Sequence, residues 1–252
     1  MTQIVDLSHT IASDPPELPD FLRSEVTYNA HAEGAAEYEQ MLGIDRSWLL
    51  RGEGPAGERV SLGTHSVTHV DAPYHYNSTV AGEPAQTIDE LPLEWFYAPG
   101  VIVDATGRED GDALTREQMQ AGVAAAGHEL RPLDIVLVRT GADRFYGDPD
   151  YMHHGPGITA EATRWLYEQG VRVMGIDAWS WDAPLRIQAA DARRRKQGGI
   201  VWAAHQVDLP YSQIERLTNL GALPPTGFTV ACFPLRVKRA GAAPARVVAI
   251  LD

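Results

Sequence analysis

Six short runs rich in apolar and β-branched residues recur along the chain: Gln3 to Leu7, Gly100 to Asp104, Asp134 to Arg139, Val171 to Ile176, Phe228 to Phe233 and Arg246 to Leu251. Several are apolar at nearly every position rather than at every second one, as in a strand covered on both faces. Helical segments lie between them. Thr115 followed by Gln118 has the form of a capping box, and Gly127 follows the last apolar position of that segment. Thr159 opens a second helix and Gly170 closes it. Ser212 and Glu215 also have the capping-box spacing, which predicts a third helix, apolar at Ile214, Leu217 and Leu220. The pattern as a whole predicts an α/β or mixed α+β protein.

The 252 residues are 44% hydrophobic and 22% charged, a balance that can close a large core. No Pro, Gly or Ser tract separates regions of different composition, so residues 1–252 are expected to form one domain. Two stretches, 13–57 and 178–204, fit no strand or helix pattern and are expected to be a long N-terminal loop or arm and a long insertion, acting as lids or subunit contacts. Thirty-four acidic against 21 basic residues give a net charge of -13, which disfavours nucleic acid and anionic membrane surfaces as partners. The one basic run, Arg193 to Lys196, reads as a solvated loop. Cys232 is the sole cysteine, so no internal disulfide can form and a reducing cytoplasm is expected. The start lacks a signal-peptide pattern, and no apolar run approaches the roughly 20 residues of a membrane span.

Three of nine histidines fall within Gly63-Thr-His65-Ser-Val-Thr-His69-Val-Asp71-Ala-Pro73-Tyr-His75. Imidazole nitrogen and carboxylate oxygen suit a divalent cation such as zinc or manganese, and three protein ligands leave a coordination position open for chemistry. Val67, Thr68, Val70 and Pro73 argue against a helix. In a strand, His65, His69, Asp71 and His75 share one face. An extended chain would hold His65 about 13 Å from His69, so His65 is expected in a turn near Gly63 and Thr64 that curls back. His75, beyond the proline, would stand beside the metal.

These residues resemble the cyclase family, which includes bacterial kynurenine formamidases and isatin hydrolases, through the pattern His-x-x-x-His-x-Asp-x-Pro-x-His. The resemblance implies a central mixed β-sheet flanked by helices, and a metal held by His65, His69 and Asp71. It implies that His75 is a catalytic acid or base, and that His205 and Glu215 complete a second metal site or position the substrate, with one or two ions per subunit. It continues in Asp6-Leu-Ser-His9, Gly175-Ile-Asp177 and Gly227-Phe-Thr-Val-Ala-Cys-Phe-Pro234. Many formamidases of the family carry glycine two residues after the first ligand, where this chain has Val67.

The implied reaction is metal-dependent hydrolysis of an amide, lactam or formamide of a small molecule, aromatic ones included. A second class, ring closure or dehydration through a metal-stabilised enolate, and a third, a metal-bound binding protein, remain open from sequence. Glu215 could instead serve its capping box, and Asp177 could cap a turn. Trp179 and Trp181 could wall an aromatic pocket or pack a core. His153 and His154 are expected in an exposed loop, His9 in a supporting or core position, and Cys232 as an inert buried thiol. The long N-terminal segment suggests an arm exchanged in a homodimer or homotetramer.

Overall fold

A nine-stranded mixed sheet organises the chain. Its strands are β1 (Gln3–Asp6), β2 (His69–Asp71), β3 (Tyr97–Asp104), β4 (Ile135–Arg139), β5 (Val173–Ile176), β6 (Ser212–Glu215), β7 (Phe228–Ala231), β8 (Ala242–Pro244) and β9 (Val248–Leu251). Their spatial order is β1-β9-β7-β3-β4-β5-β6-β2-β8. The central strands β3, β4, β5 and β6 run parallel, and antiparallel strands complete both sides. The structure, a computed structural model, describes residues 2–14 and 23–251. Packing divides the chain into two compact units, Met1–Thr10 with Val67–Asp252, and Ile11–Ser66.

The apolar runs behave as their composition demands. In β4, Val136 and Val138 join one buried cluster while Ile135 and Leu137 join another, so the strand is covered on both faces. Helices Arg116–Ala125 and Ala160–Glu168 cover the first face with Met119, Val123, Trp165 and Leu166. Fully burying such side chains contributes roughly 1.5 to 3 kcal/mol each. Both helices begin as predicted. Thr115 and Gln118 form a reciprocal capping box, and Thr159 accepts from the Ala162 amide. Gly127 and Gly170 follow them with φ of 69° and 94°.

The predicted third helix does not form. Ser212 to Glu215 is the strand β6, whose Ile214 pairs with Gly175 of β5 and Val70 of β2. Two-sided ladder bonding and full burial of Ile214 outweigh the local Ser-x-x-Glu signal. The stretch 178–204 also carries more structure than expected, because Leu185–Arg195 is a helix. Arg193 to Arg195 form its last turn rather than a loop, and Arg194 and Arg195 pair with Asp191. One close approach requires glycine: a Cβ on Gly157 would lie 1.9 Å from the Ala183 nitrogen. That approach lets the Ile158 amide reach the Trp181 carbonyl (2.8 Å), fixing the segment that carries Asp182.

The smaller unit pairs Glu25–Asn29 with Gly57–Ser61 as antiparallel strands and includes helix His31–Leu42, closed by Gly43 at φ 65°. It therefore gives structure to much of the stretch 13–57, of which 15–22 lie outside the described residues. Trp48 and Leu50 are exposed in this unit. Among the described residues, no helix is long and apolar enough to cross a membrane.

Candidate metal centre and active site

Strands β2 and β6 build the centre of the site. Their antiparallel register sets Glu215 opposite His69 and Gln213 opposite Asp71. Side chains two apart on a strand share a face, so His69, Asp71 and Glu215 converge. His69 Nε2 lies 3.3 Å from Asp71 Oδ1 and 3.6 Å from Glu215 Oε2, and all three residues are buried. His69 Nδ1 is 2.9 Å from the Val67 carbonyl oxygen. With Nδ1–H donating there, Nε2 turns its lone pair toward the two carboxylates.

One imidazole nitrogen and two carboxylate oxygens, all within 4.8 Å of one another, form a donor set that fits a divalent cation. Two buried carboxylates facing an imidazole lone pair are costly without a positive charge among them. The capping-box role considered for Glu215 is excluded by its place at the end of a strand.

His205 joins from the loop ahead of β6, with Nε2 3.4 Å from Glu215 Oε1. Its Nδ1 lies 2.6 Å from Asp182 Oδ2, which also accepts the His205 amide at 3.0 Å, while Asp182 Oδ1 accepts the Ala204 amide at 3.1 Å. Burial alone would lower the His205 pKa, but the Asp182 and Glu215 carboxylates outweigh it and raise it to about 10. Glu215 is pushed upward by burial and held below its usual range by the hydrogen bond from His205. Trp202 stacks on the His205 ring at 5.0 Å. The Trp181 amide donates to Glu215 Oε1 (2.9 Å), so Glu215 is oriented from two sides.

His75 does not continue the β2 strand, as the shared-parity expectation required. Pro73 starts a short helix, Pro73–Tyr76, whose first turn suits the fixed φ of proline. This helix brings a His75 nitrogen within 4.8 Å of an Asp71 oxygen, and the ring packs edge-on to Trp202 at 5.1 Å. His205 is 6.0 Å away, centroid to centroid. His65 is half-buried in the turn closed by the Ser66 amide on the Gly63 carbonyl (3.0 Å), at the end of the smaller unit. A turn was expected there. Val67, beyond it, has φ 58°, a left-handed conformation that disfavours a β-branched side chain and suits glycine.

The other candidates separate. Asp177 accepts from Thr140 N and Oγ1 and from Gly141 N at 2.7, 2.6 and 2.9 Å, holding the turn after β4 rather than capping its own. Burial pushes its pKa up to about 6 despite those bonds. Trp181 is fully buried, with Nε1 donating to Thr163 (2.9 Å), and is a core residue; Trp179 is half-buried under Arg216. His154 and His153 are half-buried rather than exposed, His154 stacking on Phe145. His9 stacks on Tyr146, and burial lowers its pKa. Cys232 is buried, and burial pushes its thiol far above the usual range.

Asp182, Trp202 and Arg216 were not singled out by the sequence reading. Asp182 lies in Trp179-Ser-Trp-Asp182, with no spacing that ties it to His205.

The profile of a family described as putative cyclase matches residues 5–183. Kynurenine formamidase from Maricaulis maris is 27% identical over 98% of this chain and 98% of its own length. Isatin hydrolase from Roseibium aggregatum is 25% identical over 99% of this chain and 92% of its own length. The solved structure of isatin hydrolase A from Labrenzia aggregata, bound to benzyl benzoate, superposes with a TM-score of 0.75 at 27% identity, covering 99% of this chain and 94% of that one. With the family match spanning most of the sequence, and His69 and Asp71 of the family's His-x-x-x-His-x-Asp-x-Pro-x-His pattern joined in the buried donor set with Glu215, the chain belongs to the cyclase family.

Proposed function

We propose that this protein is a metal-dependent hydrolase that cleaves the C–N bond of a small amide, formamide or lactam. The observation that carries the reading is the buried convergence of His69, Asp71 and Glu215 on one point. Similarity along the full chain to a kynurenine formamidase and an isatin hydrolase supports the reaction class and favours it over ring closure or dehydration.

His69 and Asp71 are assigned as ligands, with His65 as the third from its turn. Glu215 and His205 complete the set for a second ion, or orient substrate when one ion is bound. A bound zinc or manganese ion supplies Lewis acidity, lowering the pKa of water toward about 7 and polarising the carbonyl. His75 then has the task of moving a proton to the leaving nitrogen, a role imidazole commonly fills in general acid-base catalysis. Trp202 limits how the His75 and His205 rings can turn. Asp182 keeps the His205 Nδ1 proton, so Nε2 faces the centre.

The sole cysteine, buried Cys232, suits a reducing cytoplasm. The exposed Trp48 and Leu50 support contact with a second copy of the chain in a homodimer or homotetramer. The testing experiment restores zinc or manganese to chelated protein and follows hydrolysis of formyl-kynurenine, isatin and formanilide. Metal-dependent turnover of at least one supports the reading, and tight metal binding with no turnover of any would overturn it.

A further inference from the structure

The carboxyl ends of the parallel strands, where ligands of open α/β sheets gather, carry a second polar cluster that the metal chemistry does not use. Arg216 follows Glu215, and its φ of 58° breaks the strand alternation. Its amide donates to the Ala178 carbonyl (3.1 Å), and its guanidinium carbon sits 3.6 Å from the centre of the Trp179 ring. Tyr151 meets Trp179 edge-on at 5.8 Å, Tyr146 meets Tyr151 at 5.6 Å, and His9 stacks on Tyr146 at 3.5 Å. The charge of Arg216 is felt at His9.

Arg216 is 8% exposed, yet its Nε has no hydrogen-bond partner. Its guanidinium forms no ion pair with a carboxylate among the described residues. His9 Nε2 is likewise buried without a partner. Unsatisfied buried polar groups are rare because each forfeits its bonds to water, so two in one cluster call for an explanation. Neutralising Asp71 and Glu215 does not explain the geometry, since a counter-ion would be drawn into contact with those oxygens. Here the guanidinium sits over the face of an indole, 3.6 Å from its centre, which leaves its N–H donors to match a carboxylate.

We propose that Arg216, stacked on Trp179 and neighboured by His9, is a subsite for the carboxylate of an aromatic acid, so that the preferred substrate is an amide bearing an anionic group. The substrate assignment rests on the hydrolase reading; the anion subsite itself does not.

Calorimetry on the metal-loaded protein compares benzoate with its neutral analogue benzamide. The wild type is expected to bind benzoate roughly tenfold tighter or more, the scale of a charge-assisted hydrogen bond. Arg216→Gln should abolish that preference. Arg216→Lys, which keeps the charge and loses the fork, should weaken benzoate severalfold relative to wild type. No preference in the wild type, a preference that survives Arg216→Gln, or benzoate binding unchanged in Arg216→Lys would each overturn the subsite. Survival in Arg216→Gln would show that the metal alone holds the anion. Formanilide turnover by the wild type, run alongside, separates the two readings: an Arg216-dependent benzoate preference without turnover sinks the hydrolase and leaves the subsite standing.

Discussion

His69 stands directly opposite Glu215 across the β2–β6 ladder, its Nε2 3.6 Å from Glu215 Oε2, although the two belong to distant parts of the sequence. The ladder, rather than a flexible loop, therefore sets the spacing of the donor set. Glu215→Gln keeps the shape and removes one negative charge. It should weaken metal binding by more than the roughly 10- to 100-fold that loss of an outer partner costs. Metal content after dialysis, read by atomic emission, checks this; full retention of metal would remove Glu215 from the ligand set.

His75 lies within reach of Asp71 but on its own short helix, a position that suits proton transfer as well as ligation. His75→Ala should lower turnover by about 100- to 10,000-fold, the span of general acid-base help, while metal stays bound. Parallel kinetics and metal analysis decide between the roles, because metal loss in this variant would make His75 a ligand.

Much of the site was legible because its chemistry is local in sequence. The imidazoles and carboxylate of residues 65–75 announce a cation, and the turn at Gly63 follows from the reach of an extended chain. Strands such as β4 were legible because apolar residues at every position leave few alternatives. Glu215 was expected with His205 at a second ion or the substrate, and on a helix; the strand sets it beside His69 and Asp71 instead, since Ser212 and Glu215 carry a helix-start signal that only pairing with β2 and β5 overrides. Asp182 was invisible, because its task is defined by the fold that brings it to His205. The Val67 departure from glycine acquired a meaning only when its positive φ was known.

Thr68 ties two sides of the site together. Its Oγ1 donates to the Arg216 carbonyl at 2.6 Å and accepts the His9 amide at 3.0 Å. Thr68→Val keeps the volume and strands both groups, so it should cost about 1 to 3 kcal/mol. Urea unfolding measures the loss, and Thr68→Ser, which retains the hydroxyl, should recover most of it.

His154 sits between Asp110 and Asp150, its ring nitrogens 2.9 and 3.3 Å from their oxygens. Burial acts to lower its pKa, but the two carboxylates prevail and raise it above the usual 6.5. The protonated ring therefore stabilises the fold fully below the unfolded value near 6.5, and that contribution is lost as pH rises through the higher folded value. An NMR titration of the His154 ring should give a midpoint above 6.5, and Asp110→Asn should lower it. A midpoint at or below 6.5 in the wild type would dismiss the pairing.

Asp182 accepts three hydrogen bonds from the Ala204–His205 segment, and the one from His205 Nδ1 settles which nitrogen faces Glu215. Asp182→Asn leaves the volume but removes the charge, and its amide group can point a donor at Nδ1. A cation that displaces the Nε2 proton then finds the remaining proton no longer anchored on Nδ1, so the lone pair is not held on the nitrogen that faces the donor set. A purely structural Asp182 would cost stability and leave the remaining folded protein normal. An orienting Asp182 predicts instead that the folded variant binds metal about 10- to 100-fold more weakly. Metal titration of the refolded variant, monitored alongside its thermal transition, distinguishes the two, and a normal affinity would confine Asp182 to a scaffold role.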